Sequence, residues 1–218
     1  MVSGSMQSEE LIRTLAMQLQ PVRRLRPPLL RALLWLTVVA AISALAVDRF
    51  GGLAVFARRV ATTRVALECV GVGATAVTAI IAAFVVSVPG RSLRWGLLVL
   101  PGCALWLGAS GLGCLENGWS LHGPGGFAGD SPHCFLFIVG VSVPLSLALF
   151  AALRRARPIA PLPVAALGTL GVAALAAFVL EFFHPFDVTV IDLALHLAAV
   201  AVVMLVGIRL RRRLLVPG

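Results

Sequence analysis

Cysteine and histidine side chains are concentrated in one Gly-, Ser- and Pro-rich stretch, GCLENGWSLHGPGGFAGDSPHC at 113–134. Cys114 and Cys134 lie near its two ends, with His122 and His133 between them. Thiolate and imidazole groups are the ligands that zinc and softer heavy metals prefer. In an oxidising compartment two thiols can instead form a disulfide that closes the loop. The stretch therefore favours metal binding or disulfide chemistry, and no Cys-x-x-Cys or His-x-x-x-His pattern selects between them.

A second set of reactive side chains occurs late in the chain, where His184 and Asp187 belong to the sequence HPFD. His184 could join Cys114, His122, His133 and Cys134 as a ligand of zinc or a heavier metal such as cadmium. No other cofactor is expected.

The elements that position these residues are predicted from composition. The 218 residues are 60% hydrophobic and 12% charged, with a mean hydropathy of +1.01, which is outside the range of soluble globular domains. Six apolar runs are long enough to cross about 30 Å of hydrocarbon as helices. These runs cover 29–47, 65–88, 95–113, 135–153, 160–181 and 188–208.

The predicted fold class is therefore all-α, a polytopic membrane protein with a six-transmembrane-helix bundle. The predicted segments are a cytoplasmic lead at 1–28, the transmembrane domain at 29–208 and a basic cytoplasmic tail at 209–218. The opening MVSGS is interpreted as a cloning remnant. Small residues recur in the fifth run, around Gly168 and Gly171, and permit close helix approach.

The arginines predict the orientation of the bundle. The chain has no lysine, and with the N-terminus in the cytoplasm only Arg49, Arg58, Arg59 and Arg64 of its eighteen arginines lie outside. Because cytoplasmic loops carry an excess of positive charge, both termini are predicted to be cytoplasmic, and all the reactive residues above then face outward. The net charge of +9 is split among short loops, which favours contact with anionic membrane lipid over direct binding of nucleic acid.

The segment DRFGGLAVFARRVATTR at 48–64 breaks this arginine pattern. Leu53, Phe56 and Val60 recur at helical spacing, which is typical of a short helix in the membrane interface. An ordinary loop is the alternative.

The lead SMQSEELIRTLAMQLQPVRRLRPP, at 5–28, predicts a short amphipathic helix. Ser8 is placed to cap it, and Pro21 ends it near Gln20. Such a helix is marginal alone, so its apolar face needs the bilayer, an inner loop or a partner to cover it. The predicted contact residues are Leu11, Ile12, Leu15, Leu19 and Val22.

Five stretches together resemble the NrsF-like membrane proteins, six-helix negative regulators of extracytoplasmic-function (ECF) sigma factors in proteobacteria. They are LIRTLAMQLQPVRRLRPP, AAFVVSVPGRSLRW, LWLGASGLGCLENGW, LRRARPIAPLP and HPFD. The resemblance runs over almost the whole chain from Met6, and it depends on the order and spacing of these stretches.

The resemblance implies an anti-sigma factor whose cytoplasmic lead holds an ECF sigma factor at the bacterial inner membrane. A periplasmic stress signal, from heavy metal or oxidation, would release it. Cys134 and Cys114 match family cysteine positions, whereas Pro185 stands where a further cysteine is expected beside His184 and Asp187. His184 could replace that cysteine as a metal ligand but not in a disulfide.

Two other functions fit only part of the sequence. A membrane thiol oxidoreductase would explain outward cysteines, but it usually needs a closely spaced thiol pair. A metal exporter would need polar groups through the full depth of the membrane, whereas this sequence has them mainly in the outer half. The expected protein is a regulator and not an enzyme.

Overall fold

The apolar runs of the sequence form helices, as backbone groups in lipid require. The computed structural model describes residues 3–18, 25–50, 52–117, 130–183 and 189–215. Regular secondary structure in these ranges is entirely helical, which confirms the all-α fold class.

The helices follow one another in this order: α1 (Ser3–Met17), α2 (Pro28–Phe50), α3 (Gly52–Arg59), α4 (Thr63–Val86), α5 (Leu100–Asn117), α6 (Asp130–Leu153), α7 (Pro161–Leu180) and α8 (Val190–Leu215). A 3-10 helix, Leu93–Val99, leads into α5, and another, Arg154–Ala156, follows α6.

Six of these helices are long and apolar enough to cross a membrane, which confirms the predicted number. They are Pro28–Phe50, Thr63–Val86, Leu93–Leu115, His133–Ala156, Pro161–Leu180 and Val190–Leu215. Their ends lie within three residues of the predicted ones, except that α8 continues beyond 208.

The described part of the basic tail is the end of α8. Arg211 donates from Nη1 to the Ile208 carbonyl oxygen at 2.6 Å, and Leu215 is fully buried in the core. Arginines near a helix C-terminus are stabilised by the negative end of the helix dipole, so the helix continues where hydropathy falls.

Helices α4 and α7 form the centre of the bundle. In their most apolar windows 67% and 61% of the residues are buried, compared with 17% in α2. Glycines allow the close approach: a Cβ atom at Gly71 would lie 2.5 Å from the Trp106 backbone nitrogen, and one at Gly171 would lie 3.0 Å from that of Ile80. The expectation that small residues of the fifth run permit close packing is met at Gly171.

Two apolar clusters fill the two ends of the bundle. One joins the start of α2 to the ends of α4, α6 and α8 and the start of α7, through residues such as Ala32, Phe84 and Leu153. The other cluster lies towards the opposite ends of α4, α5, α6, α7 and α8. It contains residues such as Trp106 and Ile138. We call these the first face and the second face of the bundle; α2 begins at the first face.

Helix α1 begins before its predicted start. The first helical residue is Ser3, and Ser8 therefore lies inside the helix and not at its cap. The helix ends at Met17, and residues 25–27, which precede Pro28, are not helical. The segment 48–64 contains helix α3, so the helical interpretation is correct for Leu53 and Phe56 and the loop alternative is wrong there. Val60 lies in the turn directly after the helix, where its backbone nitrogen donates to the Phe56 carbonyl oxygen at 2.9 Å.

Candidate functional site

The apolar side chains of α1 are open to solvent. Leu11, Ile12 and Leu15 are exposed by 60%, 65% and 54%. Leu11 and Leu15 are one turn apart and share a face of the helix, with Ile12 beside them. Leu19 and Val22 lie outside the described residues. The described part of the predicted partner-binding set is thus an uncovered apolar stripe.

Arg31 attaches the start of α2 to two other helices at the first face. Its Nη2 atom donates to the Ala152 carbonyl oxygen at 2.5 Å, at the end of α6. Its guanidinium carbon lies 5.2 Å from the ring centroid of Phe84, near the end of α4, in cation–π geometry. The helix that follows the N-terminal lead is therefore fixed at its first turn.

The second face holds the predicted sensing cysteines. Cys114 and Cys134 are both buried thiols, near the end of α5 and the start of α6. Cys134 belongs to the apolar cluster that contains Ile138 and Leu180. The structure thus brings both cysteines to one face of the bundle but into different surroundings.

The other predicted metal ligands are three histidines, His122, His133 and His184. His133 is exposed at the start of α6, whereas His122, His184 and Asp187 lie outside the described residues. Among the described side chains no group of three Cys, His, Asp or Glu residues could hold a metal ion.

Two ion pairs lie at the second face and were not predicted. Arg59 is the last residue of α3, and Glu181 directly follows α7. The Nη1 atom of Arg59 donates a hydrogen bond to the Oε2 atom of Glu181 at 2.8 Å. Both side chains are almost completely buried, at 10% and 11% exposure. Phe56 stacks on Phe182 with ring centroids 4.2 Å apart. Helix α3 is thus held on the end of α7 by a buried charge pair and an aromatic pair.

The second pair is Arg64 and Glu68, one turn apart at the start of α4. Arg64 Nη1 lies 3.8 Å from Glu68 Oε2, and Ser110 of α5 donates its hydroxyl to Glu68 Oε1 at 2.5 Å. A Cβ atom at Gly113 would collide with the Arg64 guanidinium. The residue before Cys114 therefore packs directly on this charged group.

The Glu181 carboxyl lies outside the apolar spans but inside the protein. Burial raises its pKa above the ordinary value, and the charge and hydrogen bond of Arg59 oppose that rise. A buried carboxylate of this kind depends on its partner, because an isolated charge in a low-dielectric environment is strongly unfavourable.

Asp192, which the sequence places on one helix face with His196, has a structural role. Its Oδ2 atom accepts hydrogen bonds from the Thr189 backbone nitrogen and hydroxyl, at 3.1 and 2.7 Å. The Asp192 nitrogen donates to the Thr189 hydroxyl in return. This reciprocal arrangement is a capping box that begins α8.

A sequence signal for the ion pairs did exist. The four arginines on the predicted outer side contradict the charge rule, and Glu68 and Glu181 are acids at the ends of apolar runs. Charged groups at such positions usually pair with each other. Which arginine pairs with which acid depends on helix contacts that the sequence does not contain, since Arg59 and Glu181 are 122 residues apart.

The bundle and its lead define a class: a helical multi-pass membrane protein with an uncovered amphipathic helix ahead of its first span and buried thiols at the second face. Residues 15–216 match the model of one protein family, "NrsF: Negative regulator of sigma F". The chain belongs to this family. No curated protein and no solved structure matches the chain significantly.

Proposed function

We propose that this protein is a membrane-bound anti-sigma factor that holds an ECF sigma factor through its N-terminal segment. The observation that carries the proposal is the uncovered stripe of Leu11, Ile12 and Leu15 on α1. Membership of a family of negative regulators of a sigma factor supports a sigma factor as the partner.

The length of α1 supports a role in binding. A helix of fifteen residues is near the limit below which isolated helices rarely persist in water, so it gains stability from any surface that covers its leucines. A groove between the helices of a sigma factor is such a surface, because an amphipathic helix binds a groove through residues one turn apart.

The proposal places the protein in the bacterial inner membrane, with α1 and the end of α8 in the cytoplasm. The arginine distribution supports this orientation, since the first face has the connections rich in arginine, including Arg154, Arg155 and Arg157. Cys114 and Cys134 would then face the periplasm.

We further propose that a periplasmic metal or redox signal acts at Cys114 and Cys134 and releases the sigma factor. A metal would be held by these thiols together with His122, His133 or His184. An oxidant would instead join the two thiols in a disulfide or modify them singly. Asp187 is proposed as a further residue of this signal-sensing site, together with His184.

No catalytic activity is proposed. Exchange of disulfides with protein substrates needs accessible thiols, whereas Cys69, Cys114 and Cys134 are buried and Cys103 is half-buried. The thiol oxidoreductase alternative therefore has no support from the position of these side chains.

The test of the proposed contact is a single charge on the stripe. We expect Leu15→Asp to abolish co-purification with the cognate sigma factor and to raise transcription from its promoters. An aspartate buried at the centre of an apolar contact weakens the free energy of binding by about 2–4 kcal/mol, which is the scale found for interface hot spots.

Arg13→Gln is the matched control, because it lowers the charge by the same single unit on the other side of α1, where Arg13 is exposed. It should leave sigma-factor binding unchanged. Full inhibition by Leu15→Asp, at equal protein level in the membrane, would refute capture by this helix.

A further inference from the structure

A cleft opens at the first face between the start of α2 and the ends of α4 and α6. Its volume is about 670 Å³. Arg26, Arg31 and Arg155 line the part nearest the beginning of α2 and the end of α6. Further along α2 the lining is apolar, with Leu34, Trp35 and Val38. The cleft therefore combines a strongly cationic end with an apolar one.

The Arg31 guanidinium is held firmly but is not satisfied. Its contacts to the Ala152 carbonyl oxygen and the Phe84 ring fix its position. Its Nη1 atom is nevertheless buried without a hydrogen-bond partner among the described residues. A buried donor without an acceptor is unfavourable, so an anion at this place would be stabilised.

The positive charge of the cleft has no counterpart in the described protein. Both ion pairs found among the described residues, Arg59 with Glu181 and Arg64 with Glu68, lie at the second face. The charge of Arg155 acts unfavourably on Arg31. An anionic ligand would remove this repulsion.

The depth of the apolar part identifies the kind of anion. Val38 is ten residues beyond Pro28, which is about 15 Å along the helix axis. Leu34 and Val38 are 46% and 57% exposed inside a span that crosses the membrane. A soluble protein cannot reach that depth, whereas an acyl chain lies there naturally.

We propose that this cleft binds one anionic phospholipid, with its phosphate between Arg26, Arg31 and Arg155 and one acyl chain along Leu34, Trp35 and Val38. The lipid would join α2, which has few buried residues of its own, to the ends of α4 and α6. It would lie directly beside the start of the helix that follows the N-terminal lead.

The test uses the full chain purified in mild detergent. Phosphatidylglycerol and phosphatidylcholine with identical acyl chains are compared by native mass spectrometry and by the unfolding temperature, with inorganic phosphate as a third ligand. We expect retention and stabilisation by phosphatidylglycerol, much weaker effects of phosphatidylcholine, and none of phosphate alone.

Variants separate the two parts of the cleft. Arg155→Gln should weaken the apparent affinity for phosphatidylglycerol about fivefold, and Arg26→Gln combined with it about 25-fold, if the contributions are independent. Val38→Trp should weaken binding by filling the apolar part without a change of charge. Arg91→Gln is the matched control, because Arg91 is exposed in the connection after α4 and does not line the cleft.

Three results would overturn the proposal. They are equal stabilisation by the two lipids, full stabilisation by phosphate alone, and unchanged lipid affinity in the Arg26, Arg155 and Val38 variants. If the third result came together with loss of sigma-factor binding, the cleft would bind a protein.

Discussion

At the scale of single residues, Arg59 and Glu181 form a nearly buried ion pair at the second face. We expect Arg59→Ala to lower the free energy of unfolding by about 3–5 kcal/mol, because it leaves a buried carboxyl without its partner. Thermal unfolding in detergent measures the loss. Arg58→Ala, one residue earlier on α3 at an exposed position, should have little effect.

A double variant distinguishes loss of the pair from loss of packing. Arg59→Leu with Glu181→Leu removes both charges and keeps apolar volume, so it should recover most of the stability. If Arg59→Ala and Arg58→Ala were equally stable, the buried pair would contribute nothing to the attachment of α3.

Substitution of Cys114 or Cys134 tests the proposed sensor. With Cys114→Ser or Cys134→Ser we expect repression to persist and the response to cadmium chloride or to a thiol oxidant to be lost, since a hydroxyl neither binds soft metals nor forms disulfides. A reporter for the sigma-dependent promoter measures both. Cys103→Ser, in the middle of a span, is the control and should respond normally. A normal response of both Cys114→Ser and Cys134→Ser would exclude Cys114 and Cys134 as the sensor.

At the scale of helices, the contact between α4 and α5 depends on the absence of a side chain at Gly71. Gly71→Ala places a methyl group 2.5 Å from the Trp106 nitrogen, and the two helices must move apart. We expect a loss of about 1–3 kcal/mol, measured by thermal unfolding. Gly108→Ala, on α5, meets no atom within 4 Å and should be neutral or slightly stabilising.

Helix α2 differs from the other spans because little of it is buried. It is held at one end by Arg31, and α3 follows its other end. Since α3 is itself attached to α7 by Arg59, a change at the second face has a short physical route to α2 and hence to the lead that precedes it. This route is a hypothesis about how release could occur, alongside a hinge at Pro27 and Pro28.

At the scale of the whole molecule, the proposed function requires that α1 and the two candidate sensing thiols lie on opposite sides of the membrane. We expect a fluorescent reporter joined ahead of Leu11 or after Leu215 to be active in the cytoplasm, because the distribution of arginines predicts that this face lies inside. Alkaline phosphatase inserted between residues 118 and 129 should be active. Phosphatase activity of an N-terminal fusion would contradict the orientation and the proposed partner together.

The amino-acid sequence alone was sufficient for the six spans, their approximate ends and the amphipathic lead. Each of these features depends on neighbours along the chain: apolar length sets a span, and a repeat of leucines one turn apart sets a helix face. The helical spacing of apolar residues in 48–64 predicts the helix at 52–59 in the same way, although a loop was an equally good interpretation of that spacing.

Packing between distant helices accounts for what the sequence did not reveal. Arg59 meets Glu181, and Arg31 meets Ala152, across more than a hundred residues, because α3 lies on the end of α7 and α2 lies beside α6 at its first turn. The burial of Cys114 and the cleft at the first face arise from the same contacts. Charge and hydropathy counted along a chain carry no information about which helices are neighbours, and neighbouring helices determine which buried charges are paired.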